Sequence, residues 1–213
     1  LRVSVEGGVV SYSHNGTLIY TSGVAPTYPL LVDTSLHSSG GTLEDVALSG
    51  NVAESVTWSR AVEATTDGVS LVRTAGTGWT AGAVSTQALA DGDGYAEYEA
   101  DGASDVIFGL SHGDGGQDYA DIDFGLFAYA GSGQVMVFEA GVYRGAFGTY
   151  VPGDRLRVGV EGGLVTYRRN GALLYTRGVS PRYPLLVDTS LYSAGSTVRG
   201  AVLAGELLEG VSW

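Results

Sequence analysis

The sequence predicts an all-β protein, an antiparallel two-sheet sandwich of the jelly-roll type that recurs along the chain. Three observations carry this. Apolar and polar residues alternate with period two, the mark of strands with one buried face. Turn residues recur about every 8–12 positions, at Asp67-Gly68, Gly92-Asp93-Gly94, Gly113–Gly116, Gly131–Gly133, Pro152-Gly153 and Gly162-Gly163, a spacing that fits a sandwich or barrel. Finally, Leu1–Trp58 recurs as Leu156–Trp213 at an offset of 155 residues without gaps.

In chain order, Tyr95–Asp101 places Ala96, Tyr98 and Ala100 on one face and Tyr95, Glu97 and Glu99 on the other. Ile122–Ala128 does the same with Ile122, Phe124, Leu126 and Ala128 against Asp121, Asp123 and Gly125. Val135–Phe138 and Leu156–Val160 are further strands. Leu164–Tyr167 and Leu173–Tyr175 flank Arg169-Asn170-Gly171, and His14-Asn15-Gly16 repeats that turn in the first copy. Asn-Gly between such runs predicts a type I′ hairpin, because that turn needs φ > 0 at both central residues. No segment carries a sustained helical stripe.

About 31 of the first 50 positions of the two copies are identical. Differences fall mainly on polar positions such as Ser13/Arg168, His14/Arg169 and Thr27/Arg182, as expected for one core with two surfaces. A period of 155 residues exceeds a solenoid unit and matches a domain. The expected organisation is residues 1–50 as the C-terminal third of one repeat, 51–205 as a full sandwich, and 206–213 as the start of another. The chain opens and closes inside a repeat, so it is expected to be part of something longer.

Composition narrows the classes. With 44 % hydrophobic residues the chain can fill a core, and 34 Gly against 5 Pro is not a linker composition. There is no Cys, which excludes disulfides and thiolate metal sites. A net charge of −12 argues against nucleic-acid and anionic-membrane partners. No apolar run reaches the roughly 18 residues of a membrane span. All 11 basic residues are Arg, and seven of them fall between Arg155 and Arg199, while acidic residues prevail from Glu54 to Glu139. Such patches are read either as complementary surfaces between repeats or as surface drift.

The stretches Val56-Thr-Trp58, GTGWTAGAVSTQALADGDGYAEYEA, FGLSHGD, YADIDFGL, FEAGVYRGAFGTYVPGDRLRVGVEGG and YRRNGALLYT resemble a recurring bacterial module. It is similar to the concanavalin A-like lectin/glucanase superfamily, with a SPRY-like ending of extended strand, Asn-Gly turn and Tyr-Pro-Leu strand. The resemblance covers Val56–Gly205 and, as a C-terminal third, Leu1–Gly50. It implies a jelly roll in a large extracellular or cell-surface bacterial protein, beside carbohydrate-active or adhesive domains.

Glucanases of that superfamily carry Glu, Asp and Glu at alternating positions of one strand. The nearest match is Asp121-Ile-Asp123, where Gly125 replaces the second Glu; Glu97 and Glu99 also alternate. Both runs are read as solvated sheet faces. Asp114, Asp118, Asp121 and Asp123 fall around the Gly113–Gly116 turn, and hard oxygens on a flexible loop suit calcium; turn-forming Asp is the other reading. Sugar binding needs an exposed ring with polar neighbours. Trp79, in the loop-like Gly76-Thr-Gly-Trp79, is the first candidate, with Tyr119, Tyr143, Arg144 and His112 near other loops; the alternative for Trp79 is a ring anchoring its loop. Trp58, on a strand-like Val-Thr-Trp, is expected in the core. No Ser/His/Asp arrangement has a supporting context.

The leading expectation is a non-enzymatic structural repeat of an extracellular fibre or surface adhesin, assembled with copies of itself by sheet completion between repeats. The alternative is a carbohydrate-binding module repeated for avidity on polysaccharide.

Overall fold

In a computed structural model of the chain, which describes residues 1–27, 30–46, 48 and 52–211, every strand pairing is antiparallel and no helix is present among the described residues. Tyr28-Pro29, Ala47, Ser49-Gly50-Asn51 and Ser212-Trp213 of the repeated segment lie outside them. The chain divides into two compact units, Leu1–Leu48 and Ser49–Trp213.

The first unit is a three-stranded meander of β1 (Arg2–Glu6), β2 (Val9–His14) and β3 (Thr17–Thr21). Asn15 and Gly16 turn β2 into β3 with φ of 49° and 81°, the left-handed pair a type I′ turn requires.

The second unit is a two-sheet sandwich. Its chain begins with β4 (Val52–Ser55), β5 (Trp58–Val62), β6 (Ala64–Thr66), β7 (Ser70–Arg73) and β8 (Thr77–Leu89). There follow β9 (Gly94–Glu99), β10 (Val106–Ser111), β11 (Phe124–Tyr129), β12 (Gln134–Glu139) and β13 (Val142–Thr149). It closes with β14 (Arg155–Glu161), β15 (Leu164–Arg169), β16 (Ala172–Arg177), β17 (Leu185–Ser193), β18 (Thr197–Gly205) and β19 (Leu207–Leu208). One sheet runs β13-β12-β11-β10-β17-β8-β19, with β5 also on β8; the other runs β16-β15-β14-β9-β18-β7-β6, with β4 on β18. This is the expected antiparallel jelly-roll sandwich. Residues 206–211, expected to open another repeat, run along β8, with Leu207 opposite Leu89 and Val211 N–H donating to the Thr86 carbonyl.

The core lies between the sheets, where Leu71, Tyr98, Phe108, Leu126, Leu156 and Tyr167 are fully buried. Ala96, Tyr98 and Ala100 line it as the alternation predicts, and Trp58 joins it. The strand expected from Ile122 starts at Phe124 instead. Asp121 N–H bonds to the Asp118 carbonyl and Ile122 N–H to the Tyr119 carbonyl, so a turn ends where the alternation suggested strand. Asp121 and Asp123 therefore do not share one strand face. Glu97 is not solvated either: it is buried beneath Arg157, 2.8 Å away, and Arg155, 3.4 Å away.

Five of the seven clustered arginines, Arg155 and Arg157 among them, pair with carboxylates of their own sandwich. Arg168 pairs with Glu161 at 2.6 Å, Arg177 with Glu139 at 3.2 Å and Arg169 with Asp154 at 3.9 Å. The Arg157 guanidinium also stacks 3.6 Å over the Tyr95 ring.

Candidate functional site

Strand alternation gives the β10–β13 sheet two apolar faces. Leu126, Ala128, Val135 and Val137 point into the core, so Phe127, Tyr129 and Phe138 stand on the opposite side. Tyr192 follows the core residue Leu191 and takes the same outer side. Trp79 reaches it through an irregularity in β8. Leu191 faces Ala81 and Ser193 faces Thr77, so β8 carries two more residues than β17 across that step. Gly78, with φ of 110°, lets the backbone swing there.

The rings form a continuous chain. Trp79 lies 5.0 Å from Tyr192, 5.3 Å from Phe127 and 5.6 Å from Tyr119. Tyr119 lies 5.6 Å from Phe138, which in turn lies 5.4 Å from Tyr143; Phe127 lies 5.5 Å from Tyr129. Tyr129, Tyr143 and Tyr192 are exposed and the others half-buried. Rings of this kind offer flat apolar faces with polar rims.

Two buried polar arrangements support the platform. Arg73, fully buried at the end of β7, donates to the carbonyls of Ala75, Gly78, Leu191 and Tyr192, to Glu63 Oε2 at 2.9 Å and to Thr80 Oγ1 at 3.1 Å. It thereby fixes the backbone beside both Trp79 and Tyr192. The loop 112–123 folds over the same sheet face, held by Ser190 Oγ donating to the Gln117 carbonyl at 2.7 Å. Beneath it Asp188 is fully buried, accepting from Ser111 Oγ at 2.8 Å. Burial pushes its carboxyl well above the usual carboxylate range, and the nearby Asp114 and Asp121 add to the shift. Asp114 is raised as well, first by burial, with Arg60 at 3.1 Å opposing.

Of the residues the sequence nominates, Trp79, Tyr119 and Tyr143 come together on this face. Trp79 is on the bulged start of β8, not in a loop; Gly76 and Gly78, which suggested the loop, supply its irregular backbone. Arg144 turns away to Glu139, 2.8 Å distant, a buried carboxylate shared with Arg177 and the Tyr167 hydroxyl. His112 sits at the far end of β10, its N–H donating to Asp123 Oδ2 and its Nδ1 3.1 Å from the Pro184 carbonyl. Three of the four aspartates serve the loop itself, while Asp114 pairs with Arg60. Asp118 accepts from Ala120 N–H, Asp121 from Gly115 and Gly116 N–H, and Asp123 from His112 N–H. Among the described residues no group of three or more acidic or imidazole side chains is arranged to hold a metal ion. Phe127, Tyr129, Phe138, Tyr192 and Arg73 were missed. The aromatics were legible as the second face of strands already recognised; a lone Arg bonded to carbonyls leaves no pattern.

No family model and no curated protein matches the chain. Solved structures do. A Crh5 transglycosylase in complex with NAG is 12 % identical with a TM-score of 0.50, covering 74 % of this chain and 84 % of its own. The SPRY domain of human HERC1 is 13 % identical with a TM-score of 0.48, covering 70 % and 98 %. A prokaryotic β-1,3-1,4-glucanase from a mouse hindgut metagenome is 8 % identical with a TM-score of 0.47, covering 74 % and 99 %. The chain has the concanavalin A-like jelly-roll fold. The expectation of a non-enzymatic module is corrected here. A transglycosylase is among the similar structures, so a fold of this kind can host catalysis. No helix among the described residues is long and apolar enough to cross a membrane.

Proposed function

We propose that the outer face of the β10–β13 sheet binds glycan, as a lectin-like module of an extracellular protein. The observation that carries this reading is the unbroken chain of rings from Tyr192 through Trp79 and Tyr119 to Tyr143. Its length suits several consecutive sugar rings stacking on aromatic faces, and the rigid sheet beneath holds the spacing. A shallow platform binds weakly, and repetition along a chain raises avidity without new contacts.

The test is a screen of the chain against polysaccharides, with turnover assayed on every ligand found. Binding to at least one polymer is expected, weakened tenfold or more by Trp79→Ala and left unchanged by Tyr95→Ala on the other sheet. Binding that is indifferent to Trp79 would sink the reading.

A second reading, a structural repeat of an extracellular fibre or adhesin assembled by sheet completion, is favoured by one observation. Val3, Ile19 and Tyr20 of the meander are 63 %, 63 % and 60 % exposed, an apolar face that a free-standing sheet does not sustain.

A further inference from the structure

We infer that Arg144 and Arg177 form an anion subsite at the edge of the aromatic platform, where they take the carboxylate or sulfate group of an acidic glycan; this rests on the glycan reading of the platform and gives it a substrate class.

β13 and β16 are terminal strands of the two sheets, and their rings meet on the flank of the sandwich, where Phe147 stacks on Tyr175 at 4.7 Å. Arg144 on β13 and Arg177 at the end of β16 converge there on one buried carboxylate. Arg144 Nε donates to Glu139 Oε2 at 2.8 Å, and Arg177 Nε lies 3.2 Å from the same oxygen. The other oxygen, Oε1, accepts from the Tyr167 hydroxyl at 3.0 Å. Two positive groups are thus held side by side against one negative group. Both pair through Nε, and among the described residues no hydrogen bond engages the terminal nitrogens of either guanidinium. Arg168, by contrast, grips Glu161 through Nε and Nη2 and directs Nη1 to the Gly171 carbonyl. The Arg144 and Arg177 side chains are 29 % and 35 % exposed, so their unused donors are within reach of a ligand while a buried anchor fixes them. A planar guanidinium with unused N–H groups pairs with a carboxylate or sulfate in forked geometry. The platform ends beside this pair. Phe138 and Tyr143 face each other across β12 and β13 with their rings 5.4 Å apart, and Glu139 and Arg144 are the next residues of the same strands. A polymer lying along the rings leaves the sheet over β13, the outermost strand, and meets the arginines at that edge. Charge favours the same class. The chain carries −12 overall, yet from Ala140 to Val187, the stretch that makes β13 to β16, seven Arg stand against Asp154 and Glu161 alone. An acidic polymer is therefore attracted to this flank of a molecule that otherwise repels it.

Calorimetric titration of the full chain tests this with two soluble polymers on one backbone, neutral hydroxyethylcellulose and carboxymethylcellulose, and with sodium sulfate as a free anion. The parent is expected to bind the carboxymethylated polymer roughly tenfold more tightly than the neutral one. Arg177→Ser is the first variant, because Ser22 holds that position in the other copy of the repeat and the fold is expected to tolerate it. It brings the two affinities to within about threefold of each other. Glu139→Gln keeps an acceptor for both Nε groups and removes the competing charge, so it widens the preference for the acidic polymer. Trp79→Ala reads the platform separately, lowering affinity for both polymers together and leaving their ratio. Equal affinity of the parent for the two polymers, a preference unchanged in Arg177→Ser, or one that narrows in Glu139→Gln overturns the inference. So does sulfate that binds as tightly as the acidic polymer, which would make the pair a site for free anions.

Discussion

Asp188 and Arg73 show how much of this site is decided by single buried polar groups. Asp188 is enclosed under the 112–123 loop with Ser111, Asp114 and Asp121 around it. Its carboxyl is raised in the fold, so the folded state binds more protons than the unfolded state between the ordinary value of about 3.9 and the raised one. Its contribution is fully present below that ordinary value and is lost as pH rises through the raised one. Asp188→Asn, neutral at every pH, is expected to gain in melting temperature over the parent at pH 8 and to lose that advantage at pH 4. An equal offset at both pH values would contradict this. For Arg73→Met, which strands four carbonyls, a loss of at least about 2 kcal/mol is expected in denaturant unfolding. A loss under half of that would show that water replaces the guanidinium. Neither group was legible as important: Asp188 reads as a polar break in an apolar strand, and Arg73 as a strand terminus.

At the scale of elements, the hairpins were the most legible part. Asn170 and Gly171 have φ of 49° and 80°, and the side-chain identities alone specify that turn. The bulged start of β8 was not legible, because two glycines flanking Thr77 suggest a loop as readily as a bulge. Ile122 misled for a similar reason: a turn whose residues happen to alternate looks like the strand that follows it. Gly109 marks a constraint invisible in sequence. A Cβ there would lie 1.9 Å from the Phe124 carbonyl oxygen, so β10 and β11 approach only because the side chain is absent. Gly109→Ala is therefore expected to cost about 3 kcal/mol in equilibrium unfolding; a cost within roughly 0.5 kcal/mol, that of a surface change, would place the strands further apart than described.

For the molecule as a whole, the alternation specified two sheets and the 155-residue repeat marked one segment present twice. What sequence could not give was the second face of the β10–β13 sheet. Phe127, Tyr129 and Phe138 belong to strands recognised by their core-facing neighbours, but their alignment with Trp79, Tyr119 and Tyr192 depends on strand order and on the loop folding back. The same limit led to Arg144 being grouped with Tyr143, its neighbour in sequence, although it pairs with Glu139. The central claim is that these rings together are the binding surface. The most direct measurement is calorimetric titration of the parent chain, Trp79→Ala, Tyr119→Ala, Tyr143→Ala and Tyr95→Ala with a polysaccharide from the screen. Affinity is expected to fall with each of the first three substitutions and to stay unchanged in Tyr95→Ala. Equal affinity across all five proteins would contradict it.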